Sequence, residues 1–460
     1  MITARKIIIS LLFLITYGIS MRGQSNPGIT SWLQNTTQIG TYYIDGNSTA
    51  ITNNLLVNCQ KVEYSDDFVY ITTTGVPSYP TGPFLDGNGT QASDQEAIYQ
   101  IPLNPTQNTG TPISTTGGNI GVFINGVSLF DFRDGVAWNS TTQSLCGGPG
   151  NSPCPGGFNG SDWGRDAILA EKEGFDCSKG HPAMGNYHHH QNPSAFKLDK
   201  EVVSDICNLY DADGLYAINE NQHSPLIGFA YDGFPIYGAY GYQNADGSGG
   251  VVRMKSGYQL RNITTRTTHA DGTDVNDGPD VDETYFLGYF REDYEWIDGG
   301  TDDFLDEHNG RICVTPEYPE GTYAYFATVD ENWNSAYPYA IGPTYYGTGE
   351  NRKVDAITES TTVYDATLDV TSFDLKNSNI SIFPNPAADL IAIQMNGLLQ
   401  ENVEVVLCDM SGKQLKKKEI NKGQTIAYFD IETLYEGTYL ISISDNSSKK
   451  SLTSKVIIKR

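Results

Sequence analysis

Histidine is scarce in this chain, seven residues in 460, yet three are consecutive in Gly185-Asn-Tyr-His-His-His190. His181 lies just before them, and His223 opens the later segment His223-Ser-Pro-Leu-Ile-Gly-Phe-Ala-Tyr-Asp232. If residues 187–190 form a strand, their side chains alternate between faces. His188 and His190 then point one way, and Tyr187 and His189 the other. Two imidazoles at i and i+2 can share one cation at bonds of about 2.0–2.1 Å. The third donor must come from elsewhere, and His181 and His223 are the natural candidates. Asp232 is a further ligand, or the group that holds an imidazole by its second nitrogen, with Tyr187 as a neighbouring polar support. Imidazole-rich sets suit zinc, copper, iron or nickel. The expectation is copper, favoured by its strong complexes and an oxidising exterior, or zinc, which three histidines and a water would equip for hydrolysis. The competing account is Tyr and His packed in a β core, each imidazole bonded to a backbone carbonyl. No residue is assigned a catalytic role.

Other signals are weaker. Tyr231, Phe234, Tyr237, Tyr240 and Tyr242 crowd residues 229–242 with Gly and Pro. Such a segment either fills an irregular core or stacks on a ligand, so a non-catalytic surface module contacting glycan, small molecule or protein is the alternative function. Asp271-Gly-Thr-Asp274-Val-Asn276-Asp277-Gly-Pro-Asp280-Val-Asp282-Glu283 offers oxygens to calcium, but its spacing is not that of an EF-hand. Ser224 lacks a nucleophile elbow. No glycine-rich phosphate loop stands between a strand and a helix.

Those side chains must be positioned by strands. Glycine (48) and tyrosine (29) are abundant, and residues 67–73, 120–124 and 323–329 are rich in β-branched and aromatic types. The second of these runs into the turn dipeptide Asn125-Gly126. Helical periodicity is confined to residues 164–174. The expected fold is mostly β: an irregular β-rich body over residues 24–360 with one or a few short helices, a linker at 361–379, and a small β-sandwich at 380–460.

Arg5 and Lys6, an apolar run over residues 7–17 and small residues to Gly23 predict a secretory signal over 1–23. That run is shorter than the ~20 apolar residues of a spanning helix, and no later segment is apolar enough to span. The formal charge of −26 argues against nucleic acid and anionic lipid as partners. Six of the seven cysteines lie in the body, an even number that suits disulfides in an exported chain. Cys146 and Cys154, around a Gly/Pro-rich turn, are the one pair assigned. No Cys-x-x-Cys occurs.

Two resemblances follow from longer motifs. Phe175-Asp-Cys-Ser-Lys-Gly-His181-Pro, Gly185-Asn-Tyr-His-His-His190, the segment from His223 to Gly238 and Leu305-Asp-Glu-His308-Asn-Gly-Arg together resemble the YHYH family of exported proteins over roughly residues 118–347. Tyr187, His188 and His190 occupy motif positions, and His189 replaces the family's second tyrosine. The resemblance names a domain and no reaction. The tail, with Phe383-Pro-Asn-Pro, Asp409-x-x-Gly-Lys413, Glu436-Gly-Thr-Tyr and Lys455-Val-Ile-Ile-Lys, resembles the C-terminal sorting domain of type IX secretion. It implies the type IX machinery as partner and a secreted, extracellular or outer-surface location. Finally, Gly310-Arg311…Gly321-Thr-Tyr323-Ala-Tyr-Phe326 echoes Gly180-His181…Gly185-Asn-Tyr-His without its histidines. The expectation is a decayed repeat, two similar hairpins side by side.

Overall fold

The computed structural model describes residues 26–364 and 380–460, apart from 87–89, 149, 158–159, 197–198, 200–213, 350–351, 386, 396–401, 410–411, 422–425 and 446–450. The expected signal segment lies outside the described residues. The chain divides after Tyr364. Strand Thr362–Tyr364 pairs with Cys59–Tyr64 in the first unit, so the body extends past the expected boundary at 360. The expected linker otherwise lies outside the described residues.

The first unit is built on an eight-stranded sheet. Its strands are β1 (Asn119–Phe123), β2 (Ser128–Phe130), β3 (His181–Ala183), β4 (Asn186–His189), β5 (Leu226–Ala230), β6 (Pro235–Tyr237), β7 (Gly310–Cys313) and β8 (Thr322–Phe326), in the order β3-β4-β2-β1-β5-β6-β8-β7. A five-stranded sheet that includes Phe68–Thr73 and Ala97–Pro102 shares its core, through Val69, Ile71, Tyr99 and Ile101 against Val122, Phe229 and Ile236. Strands covered on both faces lose the apolar–polar alternation, and every residue of β5 and β6 is buried. The β1–β2 and β5–β6 turns place Gly126 and Gly233 at φ of 77° and 93°, a conformation only glycine adopts without strain.

The expected helix at 164–174 is shorter. Gly164–Asp166 is a strand paired to Arg133–Asn139. Asp166 then caps the helix Ala167–Glu171, accepting from Ile168 N and Leu169 N. Lys172–Gly174 forms a 3-10 turn. Cys146 and Cys154 are bonded, and Cys177 is in a disulfide too. Cys59 and Cys313 are buried free thiols, so not all six body cysteines pair. The second unit has a three-stranded and a four-stranded sheet sharing one core, with Ile391 and Ile393 from the first and Val405, Leu407, Ile441 and Ile443 from the second. It is the small sandwich expected.

Candidate metal centre

β3 and β4 form an edge hairpin in which His181 faces His188 and Pro182 faces Tyr187. β4 also runs parallel to β2, with His188 opposite Ser128. The strand pleat sends His188 toward one face and Tyr187 and His189 toward the other. His190 follows His188 onto the first face, and His181 reaches the same point from β3.

The three imidazoles converge through their Nε2 atoms. His188 Nε2 lies 3.1 Å from His190 Nε2, and His181 Nε2 lies 3.5 Å from His190 Nε2. All three rings are buried. Among the described residues, this trio is the group whose ligand atoms could hold one ion. Two of the rings are oriented by main-chain acceptors: His188 Nδ1 is 2.9 Å from Asn186 O and His190 Nδ1 is 2.5 Å from Asp131 O. A carbonyl accepts and cannot donate, so both Nδ1 atoms carry the proton. In the neutral rings, each Nε2 therefore presents a lone pair to the other, which is repulsive unless a proton or a cation lies between.

Glu171, on the short helix, stands just outside the trio. Its Oε2 is 3.2 Å from His181 Nε2 and 3.3 Å from His190 Nε2, yet it is buried without a hydrogen bond of good geometry. Burial alone would raise this carboxyl, but the imidazoles of His181 and His190 outweigh it and hold Glu171 far below the ordinary carboxylate range. For His190 burial opposes protonation, and Glu171 and the Asp131 carbonyl overcome it, so its pKa rises. Burial, then the neighbouring His181 and His190, drive His188 well below the ordinary imidazole range. The site is therefore a half-buried anion, a proton-accepting His190 and a neutral His188. Phe130 stacks on His188 with ring centroids 3.8 Å apart and shields it.

On the opposite face Tyr187 donates to Asp176, at 2.9 Å to Oδ2, and Tyr79 meets His189 Nε2 at 2.7 Å. Tyr187 thus supports the strand from behind and does not touch the imidazole trio. His223 is placed elsewhere: its Nδ1 bonds to Ser224 O at 2.7 Å, and its ring packs on Tyr237 and Tyr242. Asp232 orients no imidazole. It accepts from Tyr325 Oη at 2.6 Å, Gly347 N at 2.9 Å and Phe234 N at 3.2 Å. The aromatic segment fills the core, since Phe229, Tyr231, Phe234, Tyr237 and Tyr240 are all buried. Tyr242, the last ring of the segment, is half-buried. In the acidic loop, Asp271 and Asp282 accept from the backbone N–H groups of their own turns, as solvated turn residues do.

Glu171 was not singled out by sequence reasoning. Its one available signal was an acidic residue inside the only segment with helical character.

The family described as YHYH protein matches residues 98–337, and the one described as Secretion system C-terminal sorting domain matches residues 381–459. No curated protein matches the chain. Among solved structures, one similar chain is described as "Structural and functional probing of PorZ, an essential bacterial surface component of the type-IX secretion system of human oral-microbiomic Porphyromonas gingivalis". It is 13% identical, with 87% of this chain and 51% of that chain covered and a TM-score of 0.16. The present chain spans about half the length of that protein, and a TM-score so low carries nothing across.

Proposed function

The chain belongs to the YHYH protein family and is a secreted or cell-surface protein by its type IX sorting domain, and we propose that it holds a divalent transition metal on His181, His188 and His190, with Glu171 as a fourth donor. The observation that carries this reading is the pair of Nε2 lone pairs 3.1 Å apart, both fixed by protonated Nδ1 atoms, beside a carboxylate oxygen that stands 3.2–3.3 Å from two of the rings without a well-aligned hydrogen bond.

The spacing favours zinc over copper(II). A tetrahedron of 2.0–2.1 Å bonds has edges of about 3.3 Å. Four of the six donor separations here are 3.1, 3.5, 3.2 and 3.3 Å. A square arrangement, the preference of copper(II), would alternate between about 2.8 and 4.0 Å. Three imidazoles and a carboxylate, with no thiolate, also match zinc's usual donors. The Glu171 side chain is 26% exposed, so the proposed fourth donor reaches solvent.

The test is metal content by mass spectrometry of untagged protein, beside the His188→Ala/His190→Ala double variant. About one zinc per wild-type chain and none in the variant is expected. Equal and negligible metal in both, even after zinc loading, would overturn the reading.

A further inference from the structure

The eight-stranded sheet is made of two alike halves. In the first, hairpin β1–β2 is followed by hairpin β3–β4, and β4 lies parallel to β2. In the second, hairpin β5–β6 is followed by hairpin β7–β8, and β8 lies parallel to β6. The halves meet where β1 pairs antiparallel with β5, Val122 opposite Phe229. The pairs Phe123–Gly228 and Gly121–Ala230 on either side are related by a local two-fold through that central pair.

The sequences follow the same register. Ile120-Gly-Val-Phe-Ile-Asn125-Gly126 aligns with Ile227-Gly-Phe-Ala-Tyr-Asp232-Gly233, and Asn125 and Asp232 each accept from the backbone N–H two residues on, both at 3.2 Å. Asp176 aligns with Asp306, Gly180 with Gly310 and Tyr187 with Tyr323. Asp176 Oδ1 accepts from Ser178 N at 2.9 Å, Gly180 N at 3.1 Å and Tyr187 Oη at 3.1 Å. Asp306 Oδ1 accepts from His308 N at 2.9 Å, Gly310 N at 3.1 Å and Tyr323 Oη at 2.9 Å. Lys179 and Asn309, at the same place in the two loops, have φ of 63° and 66°. A Cβ added at Gly180 or Gly310 would lie 2.4 Å from the Tyr187 or Tyr323 hydroxyl. The two hairpins are thus in one sheet, but at opposite edges and not side by side.

Only the first half carries the trio. By strand register His181, His188 and His190 correspond to Arg311, Ala324 and Phe326. We infer that the sheet is a duplicated unit, and that the Asp176–Tyr187 brace common to both copies is what positions the imidazoles found in one. The inference rests on the metal reading above for its function and on the geometry alone for the brace. Asp176 ties the loop that delivers His181 to the strand that delivers His188. Tyr187 immediately precedes His188, so its anchored ring fixes the pleat that turns His188 and His190 toward one point. In the other copy the same brace supports Arg311, whose guanidinium lies 5.7 Å over Phe326 and donates to the Tyr242 and Asp302 carbonyls. There it is a scaffold only, which supplies an internal control.

The experiment compares Tyr187→Phe with Tyr323→Phe in the full chain. Three quantities are read: the unfolding midpoint, zinc affinity by competition with a chromophoric chelator, and the imidazole tautomers of the metal-free protein by long-range 1H–15N NMR. Similar midpoint losses are expected, with zinc affinity down about tenfold and the His188 and His190 signals displaced only in Tyr187→Phe. Equal effects of both variants on affinity and tautomers, or none from either, would overturn the positioning role. Displaced tautomers in a protein whose wild type takes no zinc would keep the brace and remove the metal. If Tyr187→Phe does not fold, Asp176→Asn against Asp306→Asn is read by the same criteria.

Discussion

Asp176 permits a test in which two large effects oppose each other. The residue has no exposed surface, yet its carboxyl accepts from Gly82 N, Ser178 N, Gly180 N and the Tyr187 hydroxyl. Burial favours the neutral acid and the donors favour the carboxylate. Burial prevails, raising the pKa from 3.8 to about 7. The folded protein then keeps this proton up to about pH 7, while the unfolded chain releases it near pH 4. Between those values the unfolded chain binds fewer protons, so this group's contribution to stability falls as pH rises. About three pKa units at 1.36 kcal/mol each come to about 4 kcal/mol. Asp176→Asn is neutral throughout and lacks the dependence. Urea unfolding followed by tryptophan fluorescence at pH 4, 5.5 and 7 should show the wild type losing its advantage over the variant by about 1.4 kcal/mol per pH unit. The buried Asp166, also raised to about 7 by burial, is common to both proteins and cancels. A gap that stays constant, or that widens as pH rises, would show that the four donors outweigh burial and that Asp176 is a carboxylate.

Other outcomes follow from the same contacts. Glu171→Gln removes the anion beside His181 and His190 and should weaken zinc binding by about 10- to 100-fold, measured by chelator competition; unchanged affinity would exclude Glu171 as a donor. Zinc at about 100 times its dissociation constant should stabilise the wild type by about 2.7 kcal/mol, seen as a raised melting midpoint that the His188→Ala/His190→Ala variant lacks. Breaking the Cys146–Cys154 bond, which closes a sequence separation of 8, with paired serines should cost about 2.5 kcal/mol on the chain-entropy account. A loss under ~0.5 kcal/mol in urea unfolding would mean that the loop is already ordered without the bond.

Much of the centre was legible because strand geometry is short-range. The two-residue period alone places His188 and His190 together and Tyr187 behind them, and Asn125-Gly126 announces the turn between β1 and β2. The sandwich in the tail is equally local, since alternation in Val403–Cys408 leads directly to buried and half-buried positions. What sequence could not supply was long-range placement. His223 is as rare a residue as His181, but it lies three residues before β5, across the two-fold from the trio, where its partners are Tyr237 and Tyr242. Asp232 is a turn residue in the second copy, equivalent to Asn125, and its partners are backbone groups and Tyr325. Glu171 sits in the segment whose helical pattern is readable, but the cap at Asp166 and the five-residue length that aim it at the trio are set by the fold. The acceptors that orient His188 and His190 are main-chain carbonyls of Asn186 and Asp131, and no side chain advertises them.

The duplicated sheet sharpens the argument about charge. In the second half Arg311 brings a permanent cation to the position of His181, and neighbouring carbonyls with the face of Phe326 receive it. In the first half the same position is walled by imidazole nitrogens and the carboxylate of Glu171, with His188 stacked on Phe130. The converging Nε2 atoms of His188 and His190 and the carboxylate of Glu171 make a centre that attracts positive charge, where its counterpart supplies it. A single proton on His190 relieves the repulsion between two of the donors but leaves His181 and Glu171 imperfectly satisfied. On the proposed reading a divalent ion would satisfy all of them at separations the side chains already hold. The two copies therefore solve one structural problem, positive charge beneath an edge hairpin, by different means. One carries the charge covalently; on the metal reading proposed above, the other takes it from a bound ion, and only that solution would respond to metal in the surrounding medium.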